Sequence, residues 1–186
     1  MELNKTEIEG LIAIKPSIFE DDRGYFFESY NQKDFTNQGI TNIFVQDNQS
    51  RSKKGVIRGL HYQLIPHAQT KLVRVLQGEI YDIAVDLRKG SSTYGKWFGI
   101  NLSSANKLQL LIPQGFAHGF SVLSDFAVVL YKTDNYYSKE AERGIVFNDP
   151  FLNIDWKINP SEAIVSERDR SLPSFHLAEN NFRTRQ

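Results

Sequence analysis

An all-β sandwich or barrel is the fold class this sequence predicts. Apolar residues come in short runs rather than at helical spacing, aromatic and β-branched side chains dominate those runs, and each run is closed by residues suited to tight reversals. In chain order the runs are YFFESY (25–30), NIFVQDN (42–48), GVIRGLHYQ (55–63), KLVRVL (71–76), EIYDIAVDLR (79–88), GKWFGINL (95–102), KLQLLIP (107–113), AHGFSVLS (117–124) and AVVLYKT (127–133). The separators DDRG, SKKG, QG, RKGSSTYG, SSAN, PQG and LSD supply Gly, Asp, Asn or Ser where the chain turns back. Helix is minor, with one turn expected near KDFTNQG (33–39) and another near SERDR (166–170), where Ser166 and Asp169 have capping-box spacing.

At 186 residues the chain fits one domain, 1–186, and a fold of this size hides roughly 70% of the surface of its unfolded form. Repeats, low-complexity tracts and linkers are absent from the sequence. The chain has no cysteine, so disulfides and thiolate metal sites are excluded and a reducing cytoplasm is the expected location. MELNKTEIEGLIAI lacks the basic start and apolar run of an export leader, and no later stretch approaches membrane-spanning length, so a soluble protein is expected. With 22 basic and 22 acidic residues the charge balances, which disfavours bulk attraction to nucleic acid. Any bound anion must be held by local arginines and lysines.

Strand parity places polar groups on apolar rows. Lys71 shares a face with Val73 and Val75, while Leu72, Arg74 and Leu76 share the other; His118 sits with Phe120 and Val122, and Tyr131 with Val129 and Ala127. Such rows suit a barrel whose interior is a lined cavity. Which row faces inward is not fixed by parity.

Two chemistries can use that cavity. PQGFAHGF has the PxGxxH spacing of the second motif of metal-binding cupins, but His61 is followed at the next same-face position by Gln63, and His67 lies past Pro66, so no histidine pair has metal-ligand spacing. A cupin-like fold without its metal is expected, with a metal-dependent cupin enzyme as an alternative. The second chemistry is proton transfer beside a carbonyl, which needs a base, a positive group at the developing enolate oxygen and a proton donor on the opposite face. His61, Lys71 and Tyr131 supply those three types.

RGLHYQ, QTKLVRVLQGEIYDIAVDLRKGSSTYGKW, LIPQGFAHGF, LYKTDNYY, FNDPFLNIDW and VSERDR follow in the order and spacing of the dTDP-4-dehydrorhamnose 3,5-epimerase family, which the chain resembles over nearly its whole length. FEDDRGYFFESY and FVQDNQS are similar to that family's nucleotide-binding segments. The resemblance implies a metal-free, cupin-like jelly roll, without cofactor, that forms homodimers by exchanging N-terminal strands. It implies an isomerase converting dTDP-4-dehydro-6-deoxy-D-glucose to dTDP-4-dehydro-L-rhamnose by inverting the two carbons beside the ketone, in supply of a surface polysaccharide. By that resemblance His61 is the base, Asp169 its carboxylate partner, Lys71 the group at the enolate oxygen and Tyr131 the acid. His118 lies near the sugar; Arg23, Phe26, Glu28, Gln46, Asn48 and Arg58 hold nucleotide and diphosphate, and Tyr137 stacks near the base. Inversion of a single carbon, ketone migration on a related dTDP-ketosugar, and silent dTDP-sugar binding are the alternatives. The loop Leu64–His67 has no assigned chemistry, and a contact between Asp169 and His61 is not fixed by sequence.

Overall fold

The computed structural model describes residues 1–184 of the chain. Thirteen strands, numbered along the chain, are found among the described residues. One sheet has six, in the order β1 (Glu2–Lys5), β2 (Ile12–Lys15), β10 (Gln109–Ile112), β7 (Lys71–Gln77), β12 (Phe126–Thr133) and β5 (Gln46–Lys53). Facing it is a sheet of five, in the order β13 (Glu142–Gly144), β6 (Ile57–Gln63), β11 (Phe116–Val122), β8 (Glu79–Asp86) and β9 (Trp97–Ser103). A separate hairpin joins β3 (Phe19–Asp21) to β4 (Gly24–Phe26). Two short helices, α1 (Gln32–Asn37) and α2 (Glu167–Arg170), match the two expected positions, and Ser166 caps α2 by accepting from the Asp169 N–H at 3.1 Å. The antiparallel sandwich is the jelly-roll class the sequence predicts.

The apolar rows explain the layers. Val73, Val75, Ala127 and Val129 of the six-stranded sheet meet Ile80, Ala84, Phe120 and Val122 of the other, closing a core between the sheets. Outside the five-stranded sheet, Ile83, Val85 and Ala117 are covered by Leu152, Trp156, Phe175 and Phe182 from the chain after β13. Outside the six-stranded sheet, Ile14, Leu72 and Leu111 are covered by Phe35 of α1 and Ile40. Strands β8 and β11 are therefore buried on both faces, which accounts for their near-continuous apolar composition.

Several expected strands end differently. In YFFESY only the first residues pair; Phe27 instead lies under the Arg74 guanidinium and Tyr30 packs edge-on against Phe35 and Phe44, drawing the segment over the sheet face. The NIFVQDN run begins its ladder only at Gln46. Strands β1, β2, β3 and β13 were not among the sequence runs, because ELNK and ERG offer no apolar row and β2 and β3 span only four and three residues.

Candidate active site

Cross-strand register brings distant residues to one end of the space between the sheets. His118 pairs with His61 on β6 and with Ala84 on β8; Tyr131 pairs with Asn48 on β5 and Val73 on β7; Gly144 pairs with His61. Directly paired residues share a face, so the inward rows of β5, β7, β11 and β12 bring Asn48, Lys71, His118 and Tyr131 together with His61. Polar Asn48, Ser50 and Ser52 alternate along the inward row of β5, where apolar residues would fill the space. The result is a cavity of about 700 Å³.

Close backbone approach seats the two imidazoles. A Cβ on Gly59 would lie 2.6 Å from the Gly119 Cα, and one on Gly119 would lie 2.7 Å from the Arg58 carbonyl oxygen. The β6–β11 register shifts between His118 and Phe120 at this crossing, so Gly119 marks a bulge.

His61 Nε2 lies 2.8 Å from Asp169 Oδ1, and Asp169 Oδ2 accepts the Gly59 N–H at 3.2 Å. The carboxylate comes from α2, 108 residues away along the chain. Burial pushes the Asp169 carboxyl up, but the hydrogen bonds from His61 and Gly59 outweigh it and hold the group below the usual range. An ionised Asp169 accepts a hydrogen bond from Nε2–H, leaving Nδ1 as the basic nitrogen of His61. Its side chain is 29% exposed, open to the cavity it lines.

Lys71 stands across the cavity, with Nζ 5.7 Å from the centroid of the Tyr131 ring. Burial pulls its ammonium down to about 8, opposed by Asp82 and Glu142. Burial also raises the Tyr131 phenol, against the attraction of Arg58, so the ring keeps its proton at neutral pH. His118 is buried, with its ring centroid 6.5 Å from that of Tyr131 and Nε2 2.8 Å from Asp82 Oδ1; burial lowers its pKa. Six types of group thus converge: two imidazoles, an ammonium, a phenol, carboxylates, amides and, at the rim, guanidinium groups.

Of the residues singled out from sequence, His61, Lys71, Tyr131, Asp169, His118, Asn48, Arg58 and Tyr137 line the cavity. Arg58 is exposed toward it, with Nε donating to Ser52 Oγ at 2.9 Å. Gln46 sits at the rim, accepting the Tyr137 N–H at 3.1 Å and donating to Asn48 Oδ1 at 3.0 Å. Arg23, Phe26 and Glu28 do not reach this cavity within the chain. Arg23 projects from the β3–β4 turn with its side chain 89% exposed and paired to Asp21, Phe26 is 67% exposed, and Glu28 accepts from Asn31.

Sequence reasoning missed Asp82, Glu142 and Arg168. Glu142 Oε2 accepts the Tyr137 hydroxyl at 2.7 Å and pairs with Arg168 at 2.5 Å, tying the Tyr137 loop to the helix that carries Asp169. Its carboxyl, pushed up by burial, is held low overall by those two partners. Asp82 had a signal, a charge on the row between Ile80 and Ala84 of an apolar strand. Among the described residues no group of three His, Cys, Asp or Glu side chains converges as a metal site would need, and the histidine of the cupin-type motif pairs with Asp82.

Comparison with known proteins gives a consistent picture. A family model described as dTDP-4-dehydrorhamnose 3,5-epimerase matches residues 5–176. The dTDP-4-dehydrorhamnose 3,5-epimerase of Shigella flexneri is 56% identical over 171 residues, covering 91% of this chain and 93% of the relative. The crystal structure of the enzyme of that name from Elizabethkingia anophelis superposes with a TM-score of 0.91 at 52% identity, covering 95% of this chain and 97% of that one. A crystal structure of the dTDP-6-deoxy-D-glucose-3,5-epimerase from Legionella pneumophila, in complex with dTDP-4-keto-L-rhamnose, gives 0.90 at 48% identity, covering 95% and 93%.

Proposed function

Because the chain belongs to the dTDP-4-dehydrorhamnose 3,5-epimerase family, we propose that it is an isomerase converting dTDP-4-dehydro-6-deoxy-D-glucose to dTDP-4-dehydro-L-rhamnose, acting as one jelly-roll domain over residues 1–186. The observation that carries the reading is a base, a cation and a phenol on the walls of one cavity: His61 backed by Asp169, Lys71, and Tyr131. His61 and His118 stand on the five-stranded sheet, Lys71 and Tyr131 on the six-stranded one.

In this reading Nδ1 of His61 takes the proton from a carbon beside the ketone. The bonding pair moves into the C–C bond and the carbonyl pair onto oxygen, and the Lys71 ammonium steadies that oxygen. Tyr131 returns a proton from the opposite wall, inverting the carbon, and solvent restores both groups before the second carbon reacts. Asp169 steadies the imidazolium formed meanwhile. His118 contacts the sugar, Arg58 and Asn48 hold the diphosphate side, and Tyr137 stacks on the base, with Gln46 fixing its backbone. No metal or other cofactor enters these steps.

Arg23, Phe26 and Glu28 then serve the cavity of a second subunit. Their hairpin stands out from the sandwich and exposes Phe19, Tyr25 and Phe26, which supports a homodimer with exchanged N-terminal strands. Partners other than the dTDP-sugar and the second subunit are not proposed. No helix among the described residues is long and apolar enough to cross a membrane. The cytoplasm, where nucleotide sugars are made, is the proposed place of action.

The test is solvent deuterium exchange into the dTDP-ketosugar by chelator-treated protein. Two labelled carbons are expected, and none with His61→Ala. One labelled carbon makes the protein a mono-epimerase; none in the wild type leaves it a binding protein.

A further inference from the structure

Among the described residues Asp82 is the one carboxylate that is wholly buried with half its bonding capacity unused. It stands on the inward row of β8 between Ile80 and Ala84 at 0% exposure; Oδ1 meets His118, and Oδ2 has no hydrogen-bond partner. A carboxylate oxygen in that setting is costly unless another charge answers it. The titratable groups around Lys71 are His61 on β6, His118 on β11, Tyr131 on β12 and Glu142 on β13, which line the cavity with it, and Asp82 on the inward row of β8, bonded to His118 behind the cavity wall. Two of these are carboxylates. Glu142 shares its charge with Tyr137 and Arg168, whereas Asp82 keeps an oxygen with no hydrogen-bond partner.

We propose that Asp82 is a positioning residue for the reaction, aiming His118 through Nε2 and supplying through its uncommitted oxygen the counter-charge that lets Lys71 meet the enolate as an ammonium. The proposal rests on the reading of Lys71 given above. By accepting a hydrogen bond from Nε2–H, Asp82 leaves His118 with Nδ1 as an acceptor, so this imidazole receives a sugar hydroxyl and does not compete with Lys71 for the enolate oxygen. The two imidazole–carboxylate pairs, register neighbours on adjacent strands, thereby take different tasks: Asp169 makes a base and Asp82 makes a holder.

Asp82→Asn keeps the shape and the acceptor for His118 while removing the charge. The titration of the Lys71 side chain is followed by NMR on labelled lysine, its signal identified by loss in Lys71→Met. In Asp82→Asn the midpoint is expected to fall from about 8 by about one pH unit or more. The alkaline limb of kcat/KM should fall by the same amount, with KM little changed. An unmoved Lys71 midpoint overturns the proposal, and so does an equal loss of rate at every pH. If Asp82→Asn does not fold, the double variant Asp82→Asn with Lys71→Met decides: recovery of folding supports the charge link, and continued failure to fold overturns it. Wild-type protein that labels no carbon refutes the epimerase reading, while the Lys71 titration still decides the role of Asp82.

Discussion

Replacing Lys71 by methionine should make the protein more stable and inactive. The stem of Lys71 lies on the row of Val73 and Val75, and methionine keeps its length and apolar contacts while removing the ammonium. The charged side chain has an ordinary pKa of 10.5, lowered in the fold to about 8. At ~1.4 kcal/mol per pH unit, that fall makes the ammonium about 3 kcal/mol more costly in the folded state than in the unfolded chain. The attraction of Asp82 and Glu142 is already inside this figure, since both oppose the lowering. For a protein of this length about 3 kcal/mol corresponds to roughly 6–12 °C in Tm. The pH dependence has a definite sign. The folded state binds fewer protons than the unfolded chain between about 8 and 10.5, so wild-type stability rises across that window. The cost is full below pH 8 and gone above 10.5. Urea unfolding of both proteins, at one protein concentration, at pH 7 and again above 10.5, should show a gap that closes. A variant no more stable than wild type at pH 7, or a gap independent of pH, refutes the reasoning.

Four further outcomes are expected. Asp169→Asn should cut kcat by about 10²-fold or more, since the amide cannot fix the tautomer and charge of His61; the carboxyl sits below its ordinary 3.8 when folded, so unfolding curves should show wild type holding its advantage above that pH and losing it below. Tyr131→Phe should lower kcat by about 10²–10⁴-fold with little change in KM, and the deuterium pattern should show abstraction outlasting inversion. Glu142→Gln keeps an acceptor for Tyr137 but drops the Arg168 pair, and steady-state kinetics should show KM raised about fivefold with kcat less affected. Gly119→Ala places a methyl against the Arg58 carbonyl and should cost about 1–3 kcal/mol in denaturant unfolding, with activity falling as His61 and His118 separate.

The parts legible in the sequence were those written in local patterning. β8 and β11 announce themselves through apolar composition, and the row of Lys71, Val73 and Val75 follows from period two alone. The inward direction of that row needed the second sheet, because parity distinguishes faces without saying which is covered. Asp169 shows the limit well. Its helix-capping geometry is real, with its N–H on Ser166, and the same residue also reaches His61, so the local reading and the long-range one are both satisfied. Glu142 was not legible, because its contacts with Tyr137 and Arg168 depend on its place beside Gln63 in a three-residue strand that has no apolar signal. Arg23, Phe26 and Glu28 entered through likeness of segment, and one chain does not bring them to its own cavity.

One consequence follows from the placement of the imidazoles on one sheet and the phenol and ammonium on the other. The gap they share is set by the spacing of the two backbone layers, about 10 Å in packed sheets, which their side chains narrow to 6.5 Å between the His118 and Tyr131 rings, and that spacing is maintained by side chains outside the cavity lining. Val75, Val122 and Val129 act as spacers for the chemistry. Enlarging or trimming them would tune turnover from a distance, in the way a jaw's grip depends on its hinge pin.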